Sequence, residues 1–214
     1  MIKIFITLFV VTALGYPVFA QQEGKLGDQF RIRKIDINEL PNPTDGSPGR
    51  PSVSTIDRGW IEILVEYEAR PIRETKVTPA EAYTPEVQFN FLMGIEDATK
   101  PKGKEWHENY AFMSGEVVFL NVYDGSPHYA AMYIHPNVVK RYGGSSAFRS
   151  SAKAFAFVEI LVDGKTMDMM STDKKLLQNL DWKNAISTAP GNLLKRTRTP
   201  WATSWWGTFE LIKE

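Results

Sequence analysis

Ala154-Phe155-Ala156-Phe157-Val158-Glu159-Ile160-Leu161-Val162-Asp163-Gly164-Lys165 is the stretch whose reading decides the fold. In an extended chain Phe155, Phe157, Glu159 and Leu161 project to one side, and Ala156, Val158, Ile160 and Val162 to the other. A segment apolar on nearly both sides predicts an interior strand with cover on both faces. Asp163-Gly164 predicts a two-residue hairpin turn, because both residues tolerate positive φ. The strand should therefore turn back directly into an antiparallel neighbour. Glu159 is a lone acid in this setting and is expected either to pair with a base or to lie at an exposed edge, pairing being the preferred reading.

Working outward, the same alternation recurs. In residues 59–68, Ile61, Ile63, Val65 and Tyr67 share one face, while Glu62, Glu66 and Glu68 share the other and should form a solvated acidic stripe. Residues 86–95 place Val87, Phe89, Phe91, Met93 and Ile95 inward. Residues 30–37 carry Phe30 and Ile32 in one phase and Ile35 and Ile37 in the other, so a bulge is predicted at Arg33-Lys34. Residues 108–123 hold one or two strands, with 117–122 read as buried. Residues 129–135 form a short strand, and 204–212 a last one carrying Trp205 and Trp206.

Helical signals are few. Leu176, Leu177 and Leu180 have helical spacing within residues 172–184, with Thr172 or Asp173 as cap. Residues 137–142 predict a single turn ended by Gly143-Gly144, and residues 78–81 a capped turn. Residues 40–54 and 70–85 are Pro-punctuated loops, 96–107 is a polar surface loop, and 187–200 a loop with Lys195, Arg196 and Arg198 clustered. The expected fold class is all-β: an antiparallel β-sandwich, immunoglobulin-like in architecture, with one short helix and long Pro-rich loops. With no Cys in the chain, the disulfide of antibody domains has no counterpart.

The ends of the chain read differently from its middle. Lys3, the apolar run of residues 4–14 and Val18-Phe19-Ala20 have the layout of a signal peptide over residues 1–20, cleaved before Gln21. Residues 21–29 are expected to be a flexible polar segment, and 30–214 a single sandwich domain. No membrane span is expected once the leader is removed. Export places the protein in the periplasm, at the outer membrane or outside the cell. The full chain has 25 basic and 25 acidic residues, so no electrostatic pull toward nucleic acid is expected.

The search for chemistry ends without a catalytic set. His128 and His135, seven apart, fall on opposite faces of a regular strand, which argues against a shared metal. No phosphate loop, nucleophile elbow or two-histidine zinc helix occurs. Glu62 and Glu66 face the same way but stand roughly 13 Å apart along a strand, wider than glycoside hydrolysis uses. No cofactor, metal or catalytic residue is expected. Of the six tryptophans, Trp201, Trp205 and Trp106 are the candidates for surface or ligand contact, and exposed in a row such indoles would stack on sugars.

The leader, Gly59-Trp60-Ile61-Glu62-Ile63, the segment Phe157 to Lys165 and the Trp205-Trp206 end together resemble a family of secreted "pilus-like" proteins. These have an immunoglobulin-like fold and are encoded beside type IV pilus assembly components in gut bacteria. The resemblance spans the chain after the leader. It implies a non-enzymatic envelope protein, an accessory of a type IV pilus-like system whose partners are envelope or pilus-assembly proteins. It offers no catalytic residues. The chain lacks a pilin's long amphipathic N-terminal helix, so a pilin subunit is not implied. The alternative function is a carbohydrate-binding module, with glycans as the partner.

Overall fold

A computed structural model describes residues 29–41, 59–70, 83–202 and 211–213. The expected leader, the tether up to residue 28, most of the two Pro-rich loops, the turn at 78–81, and Trp205 and Trp206 lie outside the described residues.

Ten strands are described: β1 (Phe30–Leu40), β2 (Trp60–Ala69), β3 (Tyr83–Glu96), β4 (Tyr110–Tyr123), β5 (Gly125–Ile134), β6 (Ala154–Val162), β7 (Lys165–Ser171), β8 (Thr188–Pro190), β9 (Leu193–Lys195) and β10 (Leu211–Ile212). They form two sheets. The first runs β1-β2-β5-β9; the second runs β10-β4-β3-β6-β7, with β8 also on β4. All pairings are antiparallel except β4 with β8. The inward rows of both sheets interleave into one core. Ile61, Ile63, Val65 and Tyr67 meet Phe89, Met93, Val158 and Ile160, all essentially without solvent contact. This is the all-β sandwich that the alternation predicts.

The opening segment behaves as read. β6 lies inside its sheet, between β3 and β7, and Asp163 and Gly164 turn it with φ of 51° and 72°. Ala156, Val158 and Ile160 enter the core between the sheets, while Phe155 and Phe157 are buried on the outside of their sheet. The expected bulge is present in β1, where the register with β2 shifts between Ile32 and Lys34. Residues 110–123 are one strand, but Val118 and Leu120 are only half-buried and Asn121 is exposed, so its outward side is partly wet.

Two expected segments take other forms. Residues 172–184 are not one helix but a 3-10 turn (Lys174–Leu177) and, after a break, a short helix (Trp182–Ala185). The chain is anchored to β6 at its start, where the Thr172 hydroxyl accepts the Ala156 N–H at 3.0 Å. It then crosses the sheet as a flat cover, so its leucine spacing serves a surface and not a cylinder. Residues 187–200 are not plain loop. β8 runs beside β4, Gly191 turns at φ 85°, and β9 pairs with β5 of the other sheet. Three-residue strands are too short for alternation to show in a sequence.

Helices α1 (Pro136–Arg141), α2 (Ser145–Arg149) and α3 (Trp182–Ala185) are all short. The expected turn at 137–142 is α1. Pro136 starts it, the His135 ring nitrogen accepts the Asn137 N–H, and Gly143 and Gly144 end it at φ 94° and 82°. α2 sends Phe148 into the core and had no sequence signal.

Candidate functional site

Among the described residues the core between the sheets is closely filled, so the candidate contact features are on the outer faces. Each face carries an aromatic group.

On the first sheet, Trp60, Ala131 and Tyr133 are buried on the outside by half-buried Leu40, Leu64, Leu194 and Trp201. Trp201 stacks on Tyr133 with centroids 5.7 Å apart and meets Trp60 edge-on at 5.3 Å. Thr199 sets its approach: its hydroxyl donates to the Arg196 carbonyl at 2.7 Å and accepts the Trp201 N–H at 3.3 Å. The acidic stripe of β2 differs from the expectation here. Glu62 is only 9% exposed; it accepts from Asn38 at 3.2 Å and hydrogen-bonds the Tyr133 hydroxyl. Glu66 and Glu68 are half-buried, and Glu68 pairs with Arg33 and Arg70. Neighbouring strands supply partners for charges that the sequence of β2 alone leaves to solvent. Burial, then the charge and hydrogen bond of Glu62, push the Tyr133 hydroxyl far above the ordinary tyrosine range, against a weaker opposite pull from Arg196.

On the second sheet, Leu92, Phe112, Phe155 and Phe157 project outward and are covered by Leu176 and Trp182. The Trp182 indole N–H donates to the Leu176 carbonyl at 3.1 Å, which pins the cover to itself. Gly94 makes room for the ring of Phe155, since a Cβ there would stand 2.4 Å from two of its carbons. Trp106 forms the rim, 38% exposed, with its ring 5.8 Å from Tyr110 and 5.8 Å from Trp182. It sits in a 3-10 turn (Trp106–Asn109) where Glu105 and Glu108 cap each other's backbone. A cavity of about 550 Å³ opens between this turn and the cover segment.

Beyond the aromatics the same face turns polar. Glu116, Asn90 and Glu159 lie directly opposite one another across β4, β3 and β6, on the floor of a second cleft of about 580 Å³. The two carboxylate residues are two strand spacings apart, about 9.6 Å. Glu159 is nevertheless fully engaged. One oxygen accepts from Thr166 at 2.7 Å and the other pairs with Lys183 at 3.2 Å, whose ammonium also lies 4.9 Å from the Phe157 ring. The pairing reading of Glu159 agrees with these contacts, while Glu116 is exposed and accepts a hydrogen bond from Gln88 at 3.3 Å.

The three candidate tryptophans are not brought together. Trp201 lies on the outside of the first sheet and Trp106 on the outside of the second; Trp205 is outside the described residues. The histidines are also apart. His128 stacks on core Tyr67 at 5.3 Å, and His135 meets Trp60 at 4.9 Å on the opposite face. Among the described residues no group of three or more metal-binding side chains forms a site, and no helix is long and apolar enough to cross a membrane. Sequence reading missed Glu62 and the role of Trp182. The outward Phe155 and Phe157 were the signal for a cover, but not for which segment supplies it.

A crystal structure of a protein from Akkermansia muciniphila has a similar fold, with a TM-score of 0.66 and 17% identity, over 87% of this chain and 93% of that one. No match is found among curated proteins. A protein-family model matches residues 21–214, nearly the whole chain, and the chain therefore belongs to a family of pilus-associated proteins.

Proposed function

We propose that this protein is a non-enzymatic, exported accessory of a type IV pilus-like system, acting through contacts with envelope or pilus-assembly proteins. The observation that carries this reading is the family match, which covers residues 21–214. Its starting point supports reading residues 1–20 as a cleaved leader, with export to the periplasm, the outer membrane or beyond. The geometry is in keeping with a contact protein. The outer faces carry half-buried aromatic groups, and Glu159 in the second cleft is engaged by Lys183 and Thr166. The separation of Trp106 from Trp201 disfavours the alternative, a sugar platform built from a row of indoles.

Cross-linking in cells that make the protein, followed by affinity capture and mass spectrometry, tests the reading. Recovery of a pilus-assembly component as a major cross-linked species is expected. Capture of no envelope protein would overturn it, as would turnover of a substrate by the purified chain.

A further inference from the structure

The cavity beneath Trp106 has a composition that fits one ligand chemistry. Its aromatic walls are Trp106, Tyr110, Phe155 and Trp182. The rings meet at steep angles: Trp106 stands at 64° to Trp182, 65° to Phe155 and 75° to Tyr110. Rings so arranged build a corner and not the flat shelf on which a sugar stacks. A corner of ring faces and edges favours a compact group approached from several sides, and π faces attract cations.

The polar lining points the same way. Three carboxylate residues, Glu105, Asp173 and Asp181, border the cavity against one ammonium, that of Lys175. Among the described residues none of the three carboxylates forms a salt bridge. Asp173 caps the 3-10 turn by accepting the Lys175 N–H at 3.0 Å, which fixes it at the cavity's edge, while Asp181 is exposed and caps nothing. The Tyr110 hydroxyl on this wall senses the field: burial first, then the negative charges of Glu96 and Asp173, hold its proton above the ordinary range. An anion is disfavoured here on charge, and a neutral polyol on ring geometry.

We propose that this cavity binds an alkylammonium group, the end of a lysine side chain presented by a protein partner. The proposal rests on the protein-contact reading above for the source of the lysine, but not for the chemistry of the cavity. About 550 Å³ accommodates a butylammonium chain together with its flanking backbone. The exposed indole of Trp106 covers the methylenes, and the carboxylates hold the charged end.

The test uses the intact chain and three probes at low ionic strength: Nα-acetyl-lysine N-methylamide, its Nε-acetylated form, and methyl glucoside. Binding is followed by calorimetry and by indole fluorescence. The lysine probe should bind with a Kd of about 1–10 mM, and the neutral acetylated probe at least about tenfold more weakly, since it keeps the shape and loses the charge. Asp181→Lys, an exposed change that leaves the packing alone, should weaken the lysine probe severalfold; Trp106→Leu should weaken it severalfold by calorimetry and leave only the smaller fluorescence response of Trp182. Equal binding of both lysine probes, preferential binding of the glucoside, or no lysine binding would overturn the proposal, as would a lysine affinity unchanged in Asp181→Lys. The two readings fail separately. Capture of an envelope partner that survives both Asp181→Lys and Trp106→Leu refutes this site and spares the pilus role. A lysine response without any captured envelope protein refutes the pilus role and spares the chemistry of the cavity.

Discussion

The sandwich has two long seams where the edges of its sheets meet, and they are closed by different physics. At one seam β1 faces β7. Both edge strands are irregular there: β1 shifts register after Ile32, and β7 shifts between its partners Ile160 and Leu161. The Asp168 side chain bridges the gap by hydrogen bonding. Asp168 accepts the Ile32 N–H through one carboxylate oxygen at 2.6 Å and its own neighbour's N–H, that of Met169, through the other at 2.8 Å. At the other seam β4 approaches β9, and the chain itself is the seal. β8 pairs with β4, Gly191 turns, and β9 pairs with β5. This closure depends on Gly115 of β4, where a Cβ would stand 2.5 Å from the Met132 methyl and 2.8 Å from the Leu193 Cβ. One seam is held by charge and hydrogen bonds, the other by covalent continuity and close packing. Both arrangements occupy strand edges that would otherwise offer backbone groups to other chains.

The packed seam should be the more sensitive to added volume. Gly115→Val is expected to lower unfolding free energy by about 3 kcal/mol, because Met132 and Leu193 must both move and a backbone oxygen lies behind them. Urea denaturation measures this, and hydrogen exchange should show loss of protection concentrated in β8 and β9. A loss below about 0.5 kcal/mol would mean that β9 retreats freely and that continuity alone seals this seam.

Asp168→Ala attacks the other seam. It leaves the Ile32 N–H, in a residue only 2% exposed, without its acceptor, at an expected cost of about 2 kcal/mol. Amide exchange at Ile32 should accelerate while β8 and β9 keep their protection. Asp168→Asn retains an acceptor and should recover about half of the loss. If Asp168→Ala and Asp168→Asn prove equal, the charge contributes all of the effect and the hydrogen bond none.

The smallest expected effect is alkaline and belongs to the side of the packed seam, since Tyr133 lies opposite Leu194 of β9. Its folded-state pKa is raised, so the folded protein retains a proton that the unfolded chain releases. The contribution of this group is fully present below the ordinary tyrosine value of about 10 and declines as pH rises through the raised value, by up to about 1.4 kcal/mol per pH unit. Denaturation at pH 9 and pH 11 should show a steeper fall for the natural protein than for Tyr133→Phe. Identical slopes would mean that the Tyr133 hydroxyl is not held as described.

Much of this architecture was legible because strand alternation is a local property. Phe155, Phe157, Ala156 and Val158 declare two buried faces without reference to any other segment, and Asp163-Gly164 declares the turn. The β1 bulge was readable for the same reason, as a phase slip between Ile32 and Ile35. What could not be read were relations between distant segments. The leucines of residues 172–184 keep a helical rhythm while lying flat against Phe155 and Phe157. β8 and β9 are strands only because β4 and β5 offer them an edge. Glu62 looks solvated until Asn38 and Tyr133 are placed beside it. The cavity under Trp106 shows the same limit, since its walls come from residues 106–110, 155 and 173–182.

By itself, then, the order of residues determined that this chain forms pleated strands with two-sided burial, where its principal hairpin turns, and that its tryptophans are candidates for contact. Only the tertiary structure decided which tryptophans share a face, which acids find partners and how the seams close. The reason is physical. Alternation and turn propensity act over a few bonds, whereas burial and charge pairing depend on neighbours that the chain supplies from dozens of residues away.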